Sequence, residues 1–274
     1  MKKNKNKFLV IGDPIKHSLS PVLHNYWFSK YKINSLYLKK KVKKKNLGSI
    51  IEDIRKKNIC GANVTLPHKS NIITHVDVVT PLARITNSIN TIYTKDGKVC
   101  GDNTDVFGFY QGILSKIKKK CKKILVIGAG GVTSSVIVAM KKKWQLKKIY
   151  LFNRTFKRSF TIKKKFGKSI EILRFNNLLN FNKEVDLVIN TSSIGLNSKQ
   201  KINLNFLNFK KKIFIDLIYN PETTKFLRSA KKFNNYIYSG LPMFVYQAQK
   251  AFKIWTGILP EVNKHTFKLL RHHL

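Results

Sequence analysis

Ile124-Leu125-Val126-Ile127 runs without a polar residue into Gly128-Ala129-Gly130-Gly131, and a helix-like stretch from Thr133 to Lys143 follows. A buried strand, a glycine turn and a helix in this order restrict the fold more than any other feature of the chain. The next parallel strand can only be reached through a helical crossover, and such crossovers have one hand. Apolar strands recur at Ile149–Phe152, Ile170–Leu173, Asp186–Ile189 and Phe214–Leu217. The spacing fits a doubly wound, nucleotide-binding parallel sheet.

The first hundred residues show a second alternation. Phe8–Ile11 reads as a short buried strand. Ser20-Pro21 reads as a helix start, with Ser20 as N-cap and Val22, Leu23, Tyr26 and Trp27 at helical spacing. Ser35–Val42 is a strand, Leu47–Lys57 a helix and Gly61–Thr65 a strand stopped by Pro67. Ile89–Tyr93 and Lys98–Gly101 flank Asp96-Gly97, a hairpin signal. The tail from Met243 to Leu274 looks helical, with Phe244, Ala248, Ala251, Phe252 and Trp255 on one face. The expected fold class is therefore α/β with two domains. Residues 1–104 with 240–274 form one, the C-terminal helical segment returning to it, and residues 105–239 form the nucleotide-binding one.

A glycine turn lets backbone approach a pyrophosphate closely, and the helix after it offers free N–H groups and a positive dipole end. Residues 128–133 read GAGGVT, so Thr133 stands where the usual fingerprint has its third glycine. An NAD site places Asp or Glu about 20 residues further on, to bond the ribose 2′-hydroxyl. Here that place holds Asn153-Arg154-Thr155, with Arg158 a turn later. No carboxylate is present to repel a 2′-phosphate, and a guanidinium binds one bidentately. Lysine would carry no such signal, because the chain has 47 of them; arginine is scarce, and two of the seven fall here. The expected cofactor is NADP (NADPH).

The first domain carries polar residues where strands end. Ser18 and Ser20 lie in a strand-to-helix turn suited to a carboxylate. Asn63 and Thr65 alternate with Ala62 and Val64, Lys69 follows Pro67-His68, and Asn90 precedes another strand. Asp102 and Asp105 put two carboxylates within four residues of a chain holding 13 acids, and either could partner a lysine.

Taken together, Gly12-Asp13-Pro14 to Pro21, Gly61 to Lys69, Ile89-Asn90-Thr91 and Gly101-Asp102-Asn103-Thr104-Asp105 closely resemble the shikimate dehydrogenase family. So do Gly128 to Gly131, Asn153-Arg154-Thr155, Asn190 to Gly195, and Gly240-Leu241-Pro242-Met243 with Gln247. The resemblance implies a substrate domain, a Rossmann-like NADP domain, and NADPH-dependent reduction of 3-dehydroshikimate to shikimate in the chorismate route. It implies that Ser18 and Ser20 hold the substrate carboxylate with Tyr219 nearby. Thr65, Lys69, Asn90, Asp105 and Gln247 would hold the ring hydroxyls and carbonyl, and Lys69 with Asp105 would be the catalytic pair. Gly128, Ala129, Gly130, Gly131, Asn153, Arg154, Thr155, Arg158 and Gly240 would bind the cofactor. Val132-Thr133 and Pro242 depart from the family pattern, and the bulk of the first pair is expected to weaken pyrophosphate contact. His17 and His68 are candidate acids that Lys69 displaces. The alternatives are an enzyme of the same fold acting on quinate, or on both acids, with NAD, a non-catalytic sensor and a nucleic-acid binder.

The formal charge of +41, from 54 basic and 13 acidic residues, keeps the last alternative in view. The lysines are spread in runs such as Lys39–Lys45 and Lys118–Lys123, a compositional bias and not an arginine-built reading surface. Expected partners are thus shikimate and 3-dehydroshikimate, with no specific nucleic acid, no membrane and no metal; self-association as a homodimer stays open. Cys60, Cys100 and Cys121 form neither a pair set nor a zinc motif. Met1–Lys7 is basic, but Phe8–Ile11 is too short for a signal-peptide apolar core, so the expected location is the cytoplasm.

Overall fold

The structure, a computed structural model, describes residues 5–174, 178–196 and 202–274. In chain order its elements are β1 (Asn6–Gly12), α1 (Ser20–Lys30), β2 (Ser35–Lys41), α2 (Leu47–Arg55), β3 (Gly61–Val64), β4 (Val78–Val79), α3 (Pro81–Thr86), β5 (Thr91–Lys95), β6 (Lys98–Asp102) and α4 (Asp105–Gly112). There follow β7 (Lys123–Ile127), α5 (Thr133–Lys143), β8 (Lys148–Phe152), α6 (Phe156–Phe166), β9 (Ile170–Leu173), β10 (Leu187–Asn190), β11 (Ile213–Asp216), α7 (Lys225–Lys232), β12 (Tyr236–Tyr238), α8 (Leu241–Thr256) and α9 (Lys264–Arg271). The chain divides into Met1–Gly108 with Val245–His273, and Phe109–Phe244. Both divisions fall a few residues beyond 104/105 and 239/240, inside α4 and α8. No Gly/Pro-rich linker marks them, because each passage is made on a continuous helix.

The first unit holds a mixed sheet in the order β2-β1-β3-β5-β6-β4. β1 is apolar on both faces because it pairs in parallel with β2 and β3 at the sheet centre. β5 and β6 form the expected hairpin, in register from Thr91↔Asp102 to Lys95↔Lys98. Asp96 and Gly97 take φ of 49° and 72°, the double left-handed turn that matches strand twist. The short β4 and α3 escape a periodicity reading, since two strand residues carry no period. Trp255 of α8 donates its indole N–H to the Ile92 carbonyl at 3.0 Å and fixes the returning segment on this sheet. A Cβ on Gly61 would lie 2.5 Å from the same indole nitrogen, so that strand position admits only glycine.

His24 is the unexpected member of this core. Its ring is fully buried, stacked on Tyr37 at 4.4 Å and ringed by Trp27, Phe252 and Trp255. Burial lowers its pKa to about 3, so it is neutral when folded. A base with a depressed folded pKa contributes stability that is full above its unfolded value of 6.5 and is lost as pH falls toward 3. Between pH 7 and 5 the wild type should therefore lose roughly 2 kcal/mol more unfolding free energy than His24→Leu, at 1.36 kcal/mol per pH unit below 6.5. Urea unfolding at both pH values measures this, and parallel losses in the two proteins would refute it.

The second unit holds an all-parallel sheet in the order β12-β11-β10-β7-β8-β9. Strand order reverses between β7 and β10, which is where doubly wound sheets place their ligands. β7, β10 and β11 are buried almost throughout, the pattern of strands covered on both faces. Among the described residues no helix is long and apolar enough to cross a membrane, and no group of three His, Cys, Asp or Glu could hold a metal ion. Residues 1–4 of the basic Met1–Lys7 stretch lie outside the described residues.

Candidate active site

In the first unit, β1 and β3 run side by side and both end toward the same polar cluster. After β3, Thr65 N–H donates to Ile11 O at 2.9 Å and His68 N–H to Thr65 O at 2.9 Å, a turn that presents Lys69. Lys69 Nζ donates to Asp105 Oδ2 at 2.6 Å. The two side chains are 12% and 5% exposed, so the pair is shielded from water and its mutual attraction is correspondingly strong. Asp105 opens α4, where the helix dipole favours a carboxylate. Asn90 Nδ2 donates to Asp105 Oδ1 at 2.9 Å and to Thr104 Oγ1 at 2.9 Å, with Gln247 Oε1 of α8 at 3.4 Å. Lys69, Asn90, Asp105 and Gln247 therefore meet, with Thr65 half-buried at the start of the Lys69 turn.

The second carboxylate is otherwise engaged. Asp102 Oδ1 accepts from Thr80 Oγ1 at 2.6 Å and from Asn103 N–H at 2.7 Å. His68 is buried and its Nε2 lies 2.7 Å from Val42 O, to which it must donate, whereas His17 is exposed.

The reading of Ser20 as N-cap needs correction. Leu19 holds the N-cap position of α1, and no side chain caps it. Ser18 Oγ accepts from Ser20 N–H at 3.3 Å and donates to Ser20 Oγ at 3.2 Å. Leu23 N–H bonds Leu19 O at 3.2 Å, so the helix starts one residue earlier, and Ser18 bonds the Ser20 N–H ahead of it. The competing principle is the Ser turn, which offers the backbone a partner before the helix begins. The two hydroxyls still share one helix entrance.

In the second unit, Gly128 has φ 112°, and a Cβ there would lie 2.7 Å from the Ser192 backbone nitrogen and 2.8 Å from Thr191 Oγ1. A Cβ on Gly130 would meet nothing nearer than Thr191 O at 4.0 Å, which leaves open space over the turn. No side chain caps the N-terminus of α5, where Thr133 N–H turns back to Gly130 O at 3.1 Å and the positive end of the helix dipole favours an anion. Asn153 Oδ1 accepts from Ala129 N–H at 3.1 Å and Asn153 Nδ2 donates to Thr155 O at 2.8 Å, tying the glycine turn to the end of β8. Thr133 is fully buried, with its hydroxyl 2.8 Å from Thr191 Oγ1 and donating to Gly128 O at 3.2 Å. Thr133 thus faces the strand-helix junction and not the turn's open side, which leaves half-buried Val132 as the bulky member of the pair at the turn. Pro242 sits in the first turn of α8, where a missing N–H costs little. Gly240 is forced by packing: a Cβ would stand 2.1 Å from Leu217 O.

Beyond β8, Asn153, Arg154, Phe156, Leu173 and Arg174 line a cavity of about 330 Å³. Arg158 lies exposed on α6 and is not among these lining residues. Glu171, the one acid between Asn153 and Arg174, is bound by Lys183 at 2.7 Å and Lys148 at 3.1 Å, and the Lys183 bond first holds its pKa below the usual range. These residues fit a dinucleotide carrying an extra phosphate. Tyr219, also in this unit, lies on Phe244 with ring centroids 4.6 Å apart. The sequence reading passed over Arg174; its arginine scarcity was the available signal. Tyr37, Thr91 and Thr104, buried around Asn90 and Asn63, gave no signal, since nothing local marks an in-facing hydroxyl as connected.

Comparison with known proteins adds a family context. The model of the shikimate dehydrogenase substrate binding domain matches residues 10–92, that of shikimate / quinate 5-dehydrogenase residues 111–232, and that of the shikimate 5'-dehydrogenase C-terminal domain residues 240–264. A shikimate dehydrogenase (NADP(+)) of Pelagibacter ubique is 48% identical over 97% of this chain and 99% of its own. One from Staphylococcus aureus is 36% identical over 94% and 95%. Among solved structures, shikimate 5-dehydrogenase from Thermus thermophilus, in complex with NADP(H) and shikimate, superposes with TM-score 0.86 at 30% identity, covering 98% of this chain and 100% of that one.

Proposed function

This chain belongs to the shikimate dehydrogenase family, and from that premise we propose that it reversibly reduces 3-dehydroshikimate to shikimate with NADPH, in the chorismate and aromatic amino acid route. The observation that carries the reading is the shielded Lys69–Asp105 pair at 2.6 Å, with Asn90 and Gln247 beside it. NADPH, when bound, supplies the hydride that reduces the C3 carbonyl.

The chain's own residues then have these roles. Ser18 and Ser20 donate hydrogen bonds to the substrate carboxylate, and Tyr219 is a further substrate-binding residue by the family motif. Thr65, Asn90 and Gln247 hold ring hydroxyls. Lys69 places positive charge at the carbonyl oxygen as negative charge grows there, and gives it a proton. Asp105 orients the Lys69 ammonium and accepts a bond from the neighbouring hydroxyl. Gly128, Ala129, Gly130 and Gly131 leave room for the pyrophosphate at the start of α5, and Gly240 keeps the entry to α8 tight. Asn153, Thr155, Arg154 and Arg158 shape and charge the adenosine end. The first unit is in this reading the substrate domain and the second the NADP domain. The three cysteines are free thiols, in keeping with a cytoplasmic location.

An NADP-reduction assay run in parallel with shikimate, quinate and no substrate tests the proposal. Reduction that depends on shikimate and proceeds at least tenfold faster than with quinate is expected; turnover of quinate alone would reassign the substrate.

A further inference from the structure

Asn63 stands out in the sequence as a polar residue on a buried strand, and none of the roles above uses it. In the structure it is the middle of a hydrogen-bonded line. Tyr37 O–H donates to Asn63 Oδ1 at 2.6 Å. Asn63 Nδ2 donates to Asn90 O at 3.0 Å and to Thr91 Oγ1 at 3.2 Å. Thr91 O–H donates to Asn90 Oδ1 at 3.1 Å, and Asn90 Nδ2 donates to Asp105 Oδ1 at 2.9 Å. Tyr37 and Thr91 are fully buried, and Asn63 and Asn90 are 6% and 2% exposed.

The direction of this line is dictated by backbone groups. The Asn90 carbonyl can only accept, so Asn63 must turn its NH₂ toward it and its Oδ1 toward Tyr37. Tyr37 must then be the donor, and burial keeps its phenol protonated by raising its pKa well above the ordinary value. The Thr104 N–H, 2.8 Å from Asn90 Oδ1, can only donate, so Asn90 must turn its NH₂ toward Asp105. Every donor along the line therefore points at the carboxylate that holds Lys69. The line runs from Tyr37 to the residues assigned to the carbonyl.

We propose that Tyr37, Asn63 and Thr91 are positioning residues of the reaction: a one-way hydrogen-bond relay that holds Asp105 and Asn90 in the orientation Lys69 needs. This rests on the assignment of Lys69 and Asp105 as the catalytic pair. A buried, fully satisfied network specifies one arrangement, and removing a member leaves its neighbour free to turn.

The test is a double-mutant cycle read in kcat/KM for shikimate. Tyr37→Phe keeps the ring stacked on His24 and removes only the donor. Thr91→Val removes the relay hydroxyl at nearly constant shape, and Thr91→Ser restores it. Tyr37→Phe and Thr91→Val should each lower kcat/KM about tenfold in the wild-type background and less than twofold in a Lys69→Met background, with Thr91→Ser close to wild type. NADPH binding followed by its fluorescence should stay within twofold throughout and reports folded protein. If Tyr37→Phe does not fold, the Thr91 pair decides alone. Losses of equal size in both backgrounds, or activity within twofold of the parent for both variants, would overturn the relay. A Lys69→Met protein with near-normal turnover would overturn the catalytic pair as well, and so separates the two failures.

Discussion

Lys69→Met should lower kcat by about 10²–10⁴, the range that general acid catalysis supplies, while NADPH affinity stays within about twofold. Methionine keeps the length and apolar contacts of the lysine stem, so the loss reports the ammonium alone. Two effects combine. The carbonyl oxygen loses the positive charge and the proton that meet it as hydride arrives. Asp105 also keeps its Asn90 bond but loses its counter-ion in a site where its side chain is 5% exposed. Breaking a buried pair by removing one partner costs about 3–5 kcal/mol in stability, so the melting temperature should fall along with kcat. Asp105→Asn in the same protein should recover part of that stability and none of the rate, because it removes the stranded charge without returning the acid. Steady-state kinetics in both directions and calorimetry give the two numbers. A kcat within a few-fold of wild type would remove Lys69 from the reaction.

Arg154→Gln should raise the dissociation constant for NADPH by a factor of 10 or more and leave that for NADH nearly unchanged. A charge-assisted hydrogen bond contributes about 1.5–3 kcal/mol, and only NADPH carries the phosphate that would receive it. Arg174→Gln should act in the same direction, since Arg154 and Arg174 line one cavity. Arg158→Gln should do less, because Arg158 is not among the residues lining it. Both effects should shrink as salt rises, as surface charge contacts do. Titration of cofactor fluorescence against each variant makes the comparison, and equal weakening of NADPH and NADH would show that the arginines do not read the phosphate.

The contrast between Arg158 and Arg174 shows where local reading stops. Arg158 lies four residues from Arg154 and looks like its partner in the sequence. Arg174 lies at the end of the next strand, and parallel pairing of β8 with β9 brings the two strand ends together. The same holds in the first unit. Lys69 and Asp105 were legible only through the motifs around them, since neither strand periodicity nor charge count chooses one lysine among 47. Asp102 and Asp105 were equivalent by spacing; Thr80, on a segment with no legible period, engages the Asp102 carboxylate. The N-cap at Ser20 was misread because the helix begins one residue earlier, Leu23 N–H bonding Leu19 O while Ser18 takes the N–H of Ser20.

Strand, turn and helix order, the parallel character of the second sheet, the Asp96-Gly97 hairpin and the basic end of β8 follow from the sequence alone, because apolar period, glycine conformation and missing carboxylates are properties of neighbouring residues. Which hydroxyls face inward and how Tyr37 comes to point at Asn63 were decided only by tertiary structure. Each of these joins side chains from strands distant in the chain, and a hydrogen bond depends on the direction and the few tenths of an ångström that only packing sets.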